Sequence, residues 1–211
     1  MAAQTAAIGF SPHSGWAAMV VLGGTAADPN LLARSRVQLI DDHDLESKQP
    51  YHAVEFLCAE EATGRLDGYM AVAARMAQAA LRAQIEELKG GDIAVKSVGI
   101  VDSSSRKQVS LQSILASHAL IHAADGDHFR NALHAAAEQC SLQVCRIPAR
   151  ELEAQAGKRL RLPLDRILDT VNKLGREKGP PWGADQKKAA LLAWTLLKGD
   201  LLGGSAARAD H

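Results

Sequence analysis

Two histidines and an aspartate are spaced so that a helix would carry all three on one face. His118, His122 and Asp125 stand at positions i, i+4 and i+7. Two imidazoles and a carboxylate form a ligand set that suits Zn²⁺ or Fe²⁺. Histidines four residues apart are also common without a metal, and the glutamate of the metalloprotease motif is missing. The spacing therefore predicts a metal site, a groove-lining hydrogen-bonded pair, or histidines that titrate against a ligand.

A second set of polar residues stands at the ends of predicted elements. Asp102 and Ser103 end a buried strand, and Asp185 begins the last helix. Ser11 and His13 occupy the turn between the first two strands. Open α/β sheets bind ligands at the carboxyl ends of their strands, so we expect these residues to share one cleft. The simpler roles are a turn for Asp102 and a favourable helix-dipole contact for Asp185. A Ser-His-Asp triad is disfavoured, because no Gly-x-Ser-x-Gly elbow is present.

The apolar periodicity predicts the elements that would position these residues. Three strands come first, followed by alternating helices and strands, which predicts a mixed sheet with helices on both faces. We expect a single domain over 1–211 with a flexible tail from about residue 199. The predicted strands are 5–10, 15–22, 31–40, 92–101 and 142–147, and the predicted helical regions are 65–89, 111–140 with a potential break at 125–127, 149–178 and 184–198.

Basic residues are concentrated late in the chain. Residues 146–178 contain nine Lys and Arg against five Asp and Glu. Such an asymmetry is compatible with a nucleic-acid patch and also with a solvated helical surface. The candidate nucleic-acid-binding residues in this stretch are Arg150, Lys158, Arg159 and Arg161.

The overall composition limits the classes of function. The 211 residues include 24 Lys and Arg and 24 Asp and Glu, and this zero balance disfavours a general polyanion binder. The three cysteines have no metal-ligand spacing, which favours a reducing compartment. The sequence shows neither a signal-peptide pattern nor an apolar run of about 18 residues. We therefore expect a soluble cytoplasmic protein without a membrane partner, and the alanine-rich composition favours a bacterial source.

The order of elements resembles the ribonuclease H-like fold, a five-stranded mixed sheet, and several short motifs resemble RuvC-type Holliday-junction resolvases. The resemblance covers roughly residues 5–198 and depends more on order and placement than on identities. The residues that carry it are Phe10-Ser11-Pro12 and Ser14-Gly15 at the first turn, Ile100-Val101-Asp102 at the end of the fourth strand, Arg146-Ile147-Pro148-Ala149-Arg150 with Gly157-Lys158 after the fifth, and Ala184-Asp185 with 186–190 at the last helix.

The resemblance implies two-metal phosphodiester hydrolysis with Mg²⁺ or Mn²⁺, a nucleic-acid substrate and a homodimer. In that family an aspartate ends the first strand, where this chain has Ser11. A serine hydroxyl is a poor replacement for a carboxylate that bridges two hard cations. We therefore expect a catalytically degenerate module that binds nucleic acid or protein.

Two other functions are compatible with the same resemblance. The first is an active divalent-metal nuclease that uses Asp102 and Asp185, with Asp125 or Asp127 supplying the missing carboxylate. The second is a related actin-like ATPase. It is disfavoured because the chain is short for two lobes and its opening turn contains little glycine.

Overall fold

The fold is given by a computed structural model that describes residues 4–41, 43–103 and 109–199. The tail expected to be flexible lies almost entirely outside the described residues. The strands are β1 (Gln4–His13), β2 (Trp16–Gly24), β3 (Pro29–Gln38), β4 (Ile93–Asp102) and β5 (Gln143–Pro148). The α-helices are α1 (Pro50–Ala53), α2 (Ala59–Lys89), α3 (Leu111–Leu115), α4 (His118–Gln139), α5 (Leu152–Leu160), α6 (Leu164–Lys178) and α7 (Ala184–Leu196), and a 3₁₀ turn spans Glu46–Lys48.

The five strands form one sheet in the order β3-β2-β1-β4-β5. β1, β2 and β3 are antiparallel neighbours, whereas β4 and β5 run parallel to β1. The β1–β2 turn is tight because Gly15 adopts a φ of 80°, which side chains other than glycine rarely adopt. The predicted mixed five-stranded sheet of the ribonuclease H-like order is confirmed.

Two predicted helical regions have different boundaries in the structure. The break considered at 125–127 does not form, since α4 runs through Gly126 without interruption. The chain instead breaks at Ala116 and Ser117, between α3 and α4. The region 149–178 is divided into α5 and α6, because Arg161 is left-handed with φ 58° and Pro163 precedes α6.

Each face of the sheet has its own apolar core. Ile8, Phe10 and Ile100 belong to the core that the sheet forms with α2 and α4. On the other face, α5, α6 and α7 pack over a second core, which includes Trp194. Within the described residues, no helix has both the length and the apolar character of a membrane-spanning segment.

Helix α7 approaches the centre of the sheet very closely. Gly9 on β1 pairs in register with Gly99 on β4, and both face α7. A Cβ atom at Gly9 would lie 1.9 Å from the carbonyl oxygen of Ala189, and one at Gly99 would lie 2.4 Å from Cγ of Leu192. These separations are far below van der Waals contact, so the position of α7 depends on two glycines at adjacent sites.

We expect Gly9→Ala to lower the free energy of unfolding by about 3 kcal/mol or more, because the added methyl overlaps the α7 backbone rather than a movable side chain. Urea denaturation measures this change. The matched control is Gly68→Ala on the exposed side of α2, where nothing lies within 4 Å. That substitution is expected to stabilise by about 0.5–1 kcal/mol. Equal effects at the two sites would contradict the close approach.

Candidate functional site

The alternation of side chains along β1 and β4 divides the expected cleft between the two faces of the sheet. Gly9 faces α7, so Ser11, two residues later, faces α7 as well. Gly99 also faces α7, which places Asp102, three residues later, on the opposite face. The structure therefore brings Ser11, His13 and Asp185 together on the α7 face and holds Asp102 apart from them. Ser103 follows the end of β4, and its hydroxyl donates to Asp127 on α4.

Asp185 is the centre of the group on the α7 face. The Ser11 hydroxyl donates to Asp185 Oδ1 over 3.2 Å, and His13 Nε2 lies 2.9 Å from the same oxygen. Ser11 is buried, whereas the His13 ring is 40 % exposed. The β4 residue on this face beside Ser11 is Val101, which is apolar and buried. Among the described residues, the group thus has one carboxylate, with a hydroxyl and an imidazole as its partners.

The connection between α6 and α7 holds Asp185 in place. On β3, Arg34 donates to three successive carbonyl oxygens, those of Gly179, Pro180 and Pro181, over 2.6–2.8 Å. The Trp182 indole donates to the carbonyl oxygen of Val171 on α6 over 3.0 Å. The chain is thereby fixed on both sides just before the first turn of α7, where Asp185 stands.

An aromatic stack across three strands adjoins this group. His13 and Trp16 are directly opposite in the β1–β2 ladder, and their rings stack at 4.4 Å with an interplanar angle of 9°. The Arg36 guanidinium on β3 lies 4.0 Å from the Trp16 ring centroid. Sequence reasoning missed Trp16 and Arg36 as site residues, although a hairpin with a two-residue turn pairs positions 13 and 16.

On the other face, Asp102 is held by arginines. Arg146 Nε and Nη2 donate to its two carboxylate oxygens over 3.0 and 3.1 Å, a bidentate pair. Arg130 Nε lies 3.6 Å from Asp102 Oδ1, and the Ser103 backbone N–H donates to the same oxygen over 2.8 Å. Both carboxylate oxygens are thus already engaged by cationic or N–H donors.

Asp127 extends the network around Asp102. The Ser103 hydroxyl donates to Asp127 Oδ1 over 3.0 Å, and Arg130 Nη1 donates to that oxygen over 3.2 Å. Arg146 also donates to Asn131 Oδ1 over 2.7 Å. The network joins α4 to the carboxyl ends of β4 and β5, which is a structural role for the predicted strand-end aspartate.

The carboxylates that the resemblance would assign to Mg²⁺ or Mn²⁺ do not fit such a site. Two-metal hydrolysis needs several anionic oxygens around one point. Asp102 and Asp185 are on different faces, and Asp102 is neutralised by Arg146. Among the described residues, the one group of three or more close His, Cys, Asp or Glu ligands consists of histidines alone.

That group is formed by His52, His118 and His122, whose ligand atoms all lie within 4.8 Å of one another. His118 Nε2 and His122 Nε2 are 3.0 Å apart on α4. Asp125 points elsewhere: its carboxylate accepts from the Tyr51 backbone N–H over 2.7 Å and contacts His52 Nδ1 over 2.5 Å. The predicted trio is therefore replaced by three histidines, with Asp125 behind one of them. His52 lies 66 residues before His118, in a segment without apolar periodicity, so no spacing indicated it.

The four predicted basic residues lie in and beside α5: Arg150 precedes the helix, Lys158 and Arg159 belong to it, and Arg161 follows it. Arg150, 67 % exposed, stands at the carboxyl edge of the sheet just after β5. Arg159 Nε donates to the carbonyl oxygen of Thr195, late in α7, so that arginine joins two helices. Lys158 and Arg161 are exposed beside it. Arg150 comes before the first turn of α5 and the other three stand at its last turn, so about 12 Å of helix separates them.

A buried histidine lies close to Asp125. His128 is 3 % exposed and its Nε2 has no hydrogen-bond partner. Burial lowers the pKa of His128, against the smaller opposing effects of a Tyr69 backbone hydrogen bond and the Asp125 charge. Burial also raises the pKa of Tyr51, and the charges of Asp125 and Asp127 raise it further. Tyr51 and His128 are therefore both neutral groups at pH 7.

Asp102→Asn leaves Arg146 and Arg130 without their shared counter-charge. We expect the free energy of unfolding to fall by about 1–3 kcal/mol, measured by urea denaturation. The control is Glu86→Gln, which removes an exposed pair with Lys89 and is expected to cost less than about 0.5 kcal/mol. A neutral result for Asp102→Asn would contradict the network.

The lowered pKa of His128 makes stability depend on pH in a defined direction. The unfolded chain binds the proton near pH 6.5 and the folded chain binds it at a lower pH. The free energy of unfolding therefore falls as pH decreases from about 6.5 towards the folded pKa. We expect His128→Gln to remove up to about 1.4 kcal/mol per pH unit of this slope in urea denaturation between about pH 7 and 5. An unchanged slope in His128→Gln would contradict the assignment.

Comparisons with known proteins give structural neighbours only. No protein-family model matches the sequence, and a search of curated proteins finds no match. Among solved structures, T. thermophilus RuvC in complex with a Holliday junction substrate aligns with 12 % identity and a TM-score of 0.49, over 90 % of this chain and 91 % of that chain. A Thermus thermophilus RuvC structure aligns with 13 % identity and a TM-score of 0.48, over 90 % of this chain and 92 % of that chain. This chain is thus similar in chain path to RuvC structures at very low identity.

Proposed function

We propose that this protein binds nucleic acid at the carboxyl edge of its sheet, on the α7 face, and does not hydrolyse it. The observation that carries the proposal is the group around Asp185. Ser11 and His13 both contact one oxygen of Asp185, and Val101 occupies the neighbouring strand position on that face. Hydrolysis by two metal ions has too few anionic ligands there.

Cationic groups adjoin the Asp185 group and supply the attraction for phosphates. Lys187 and Lys188 are exposed in the first two turns of α7, and exposed Arg150 stands at the same edge of the sheet after β5. They also flank the N-terminal end of α7, whose helix dipole favours an anion. A local cationic edge is compatible with a net charge of zero, because only the neighbouring phosphates sense it.

The stack of His13, Trp16 and Arg36 supplies the second kind of contact. Unpaired bases stack on aromatic rings with about 1–3 kcal/mol each, whereas bases inside a duplex have no free face. The exposed His13 ring joins the stack to Asp185, since it stacks on Trp16 and contacts the carboxylate. Rings beside cations favour single-stranded or unpaired nucleotides over uniform duplex. One structural neighbour was solved with a Holliday junction, so a four-way junction belongs among the probes.

The test is fluorescence anisotropy with labelled single-stranded, duplex and four-way-junction DNA at several salt concentrations. We expect the single strand and the junction to bind more tightly than the duplex. The double variant Lys187→Gln with Lys188→Gln should weaken binding and reduce the slope of log K against log salt by about 0.7 per lysine for single strands. A charge-matched control, Arg75→Gln with Arg82→Gln, changes exposed arginines of α2 on the opposite face.

The same DNA is incubated with Mg²⁺ and with Mn²⁺ to test hydrolysis, and no cleavage is expected. Metal-dependent cleavage that Asp185→Asn or Asp102→Asn abolishes would overturn the non-hydrolytic proposal and favour the nuclease alternative. Equal weakening by the α2 control, or no binding to any probe, would overturn the proposed surface.

The homodimer implied by the resemblance stays a prediction, and sedimentation of the same samples would measure the oligomeric state.

A further inference from the structure

We propose that His52, His118 and His122 bind a zinc ion, with Asp125 positioning His52. This site is on the α4 side of the molecule and does not depend on the proposed nucleic-acid surface. The three histidines come from two parts of the chain, since His52 is in α1 and the other two are on the first turns of α4. An ion there would join α1 to α4.

The nitrogen positions are close to those that a tetrahedral zinc site needs. With Zn–N bonds of about 2.0–2.1 Å, neighbouring ligand nitrogens stand about 3.3 Å apart. His118 Nε2 and His122 Nε2 are 3.0 Å apart, and all three ligand atoms lie within 4.8 Å. The exposed side chains of His118 and His122 can turn by small amounts to close the remaining gap to the half-buried His52.

Asp125 gives the cluster a feature that an accidental group of surface histidines lacks. It is 3 % exposed, and one of its oxygens is fixed by the Tyr51 N–H over 2.7 Å. The other oxygen lies 2.5 Å from His52 Nδ1. A buried carboxylate beside one ring nitrogen keeps the proton on that nitrogen and leaves the lone pair of Nε2 for a metal. This carboxylate–histidine pair orients metal-binding histidines in many zinc sites.

The ligand set also selects the kind of ion. Three neutral imidazoles suit zinc and similar transition-metal ions, whereas Mg²⁺ and Ca²⁺ prefer oxygen ligands. Three protein ligands leave a fourth position, which in an exposed site is open to water or an added ligand. The site therefore has the coordination of an open zinc centre rather than a closed structural one.

The test measures metal binding directly on the full-length protein after chelator treatment. Zinc titration by calorimetry should give one ion per chain, and Co²⁺ should give the visible absorption of a tetrahedral nitrogen-ligated ion. His118→Gln, His122→Gln and His52→Gln should each lower zinc affinity at least about tenfold and remove the Co²⁺ band. His134→Gln, another histidine of α4 that lies outside the cluster, is the matched control and should change neither.

Asp125→Asn separates a positioning role from a purely structural one. The amide oxygen can still accept from the Tyr51 N–H, so circular dichroism should show an unchanged fold. Zinc affinity should fall about 10–100-fold, with the number of ions bound per chain unchanged.

Zinc should raise the melting temperature of the wild type and not that of the His118→Gln, His122→Gln double variant. Absence of zinc binding, or equal affinity in the wild type and this double variant, would overturn the site; an unchanged affinity in Asp125→Asn would overturn the role of Asp125.

Discussion

Two glycines on neighbouring central strands, Gly9 and Gly99, give the backbone of α7 room to lie directly against the sheet. A larger residue at Gly9 would push the helix outwards, because the atoms opposite it belong to the helix backbone itself, and one at Gly99 would overlap the Leu192 side chain. With α7 fixed at that distance, its first turn reaches the end of β1, and Asp185 meets Ser11 and His13. The position of the α7-face group therefore follows from a packing constraint in the centre of the sheet.

The same glycines fix which way the neighbouring side chains point, and this decides the chemistry. Since successive residues of a strand face opposite sides, Val101 shares the α7 face and Asp102 does not. A shift of one residue at the end of β4 would have brought a carboxylate next to Ser11. Instead Asp102 meets Arg146 and Arg130 on the other face, where it stabilises the junction of α4 with two strands.

Much of the fold follows from local patterns, and the sites follow from them only in part. Apolar periodicity predicts the order of strands and helices, and the placement of Ser11 and Asp185 at strand and helix ends predicts that they share a cleft. The role of Asp102 could not be predicted, because it depends on arginines 28 and 44 residues away. His52 could not be found either, since its segment has no periodicity and the contact with Asp125 is made in the folded chain.

The aspartates near these sites share one property, which explains why nitrogen rather than oxygen ligands remain for a metal. Each carboxylate already has a basic side chain as its partner, and a hard cation would have to displace that partner from well-formed hydrogen bonds. The pairs are Asp102 with Arg146, Asp127 with Arg130, Asp185 with His13 and Asp125 with His52. In the last pair the carboxylate does not compete with a metal, because it holds one nitrogen of the ring and leaves the other free. Pairing thus removes the aspartates as magnesium ligands and, at His52, prepares an imidazole for zinc.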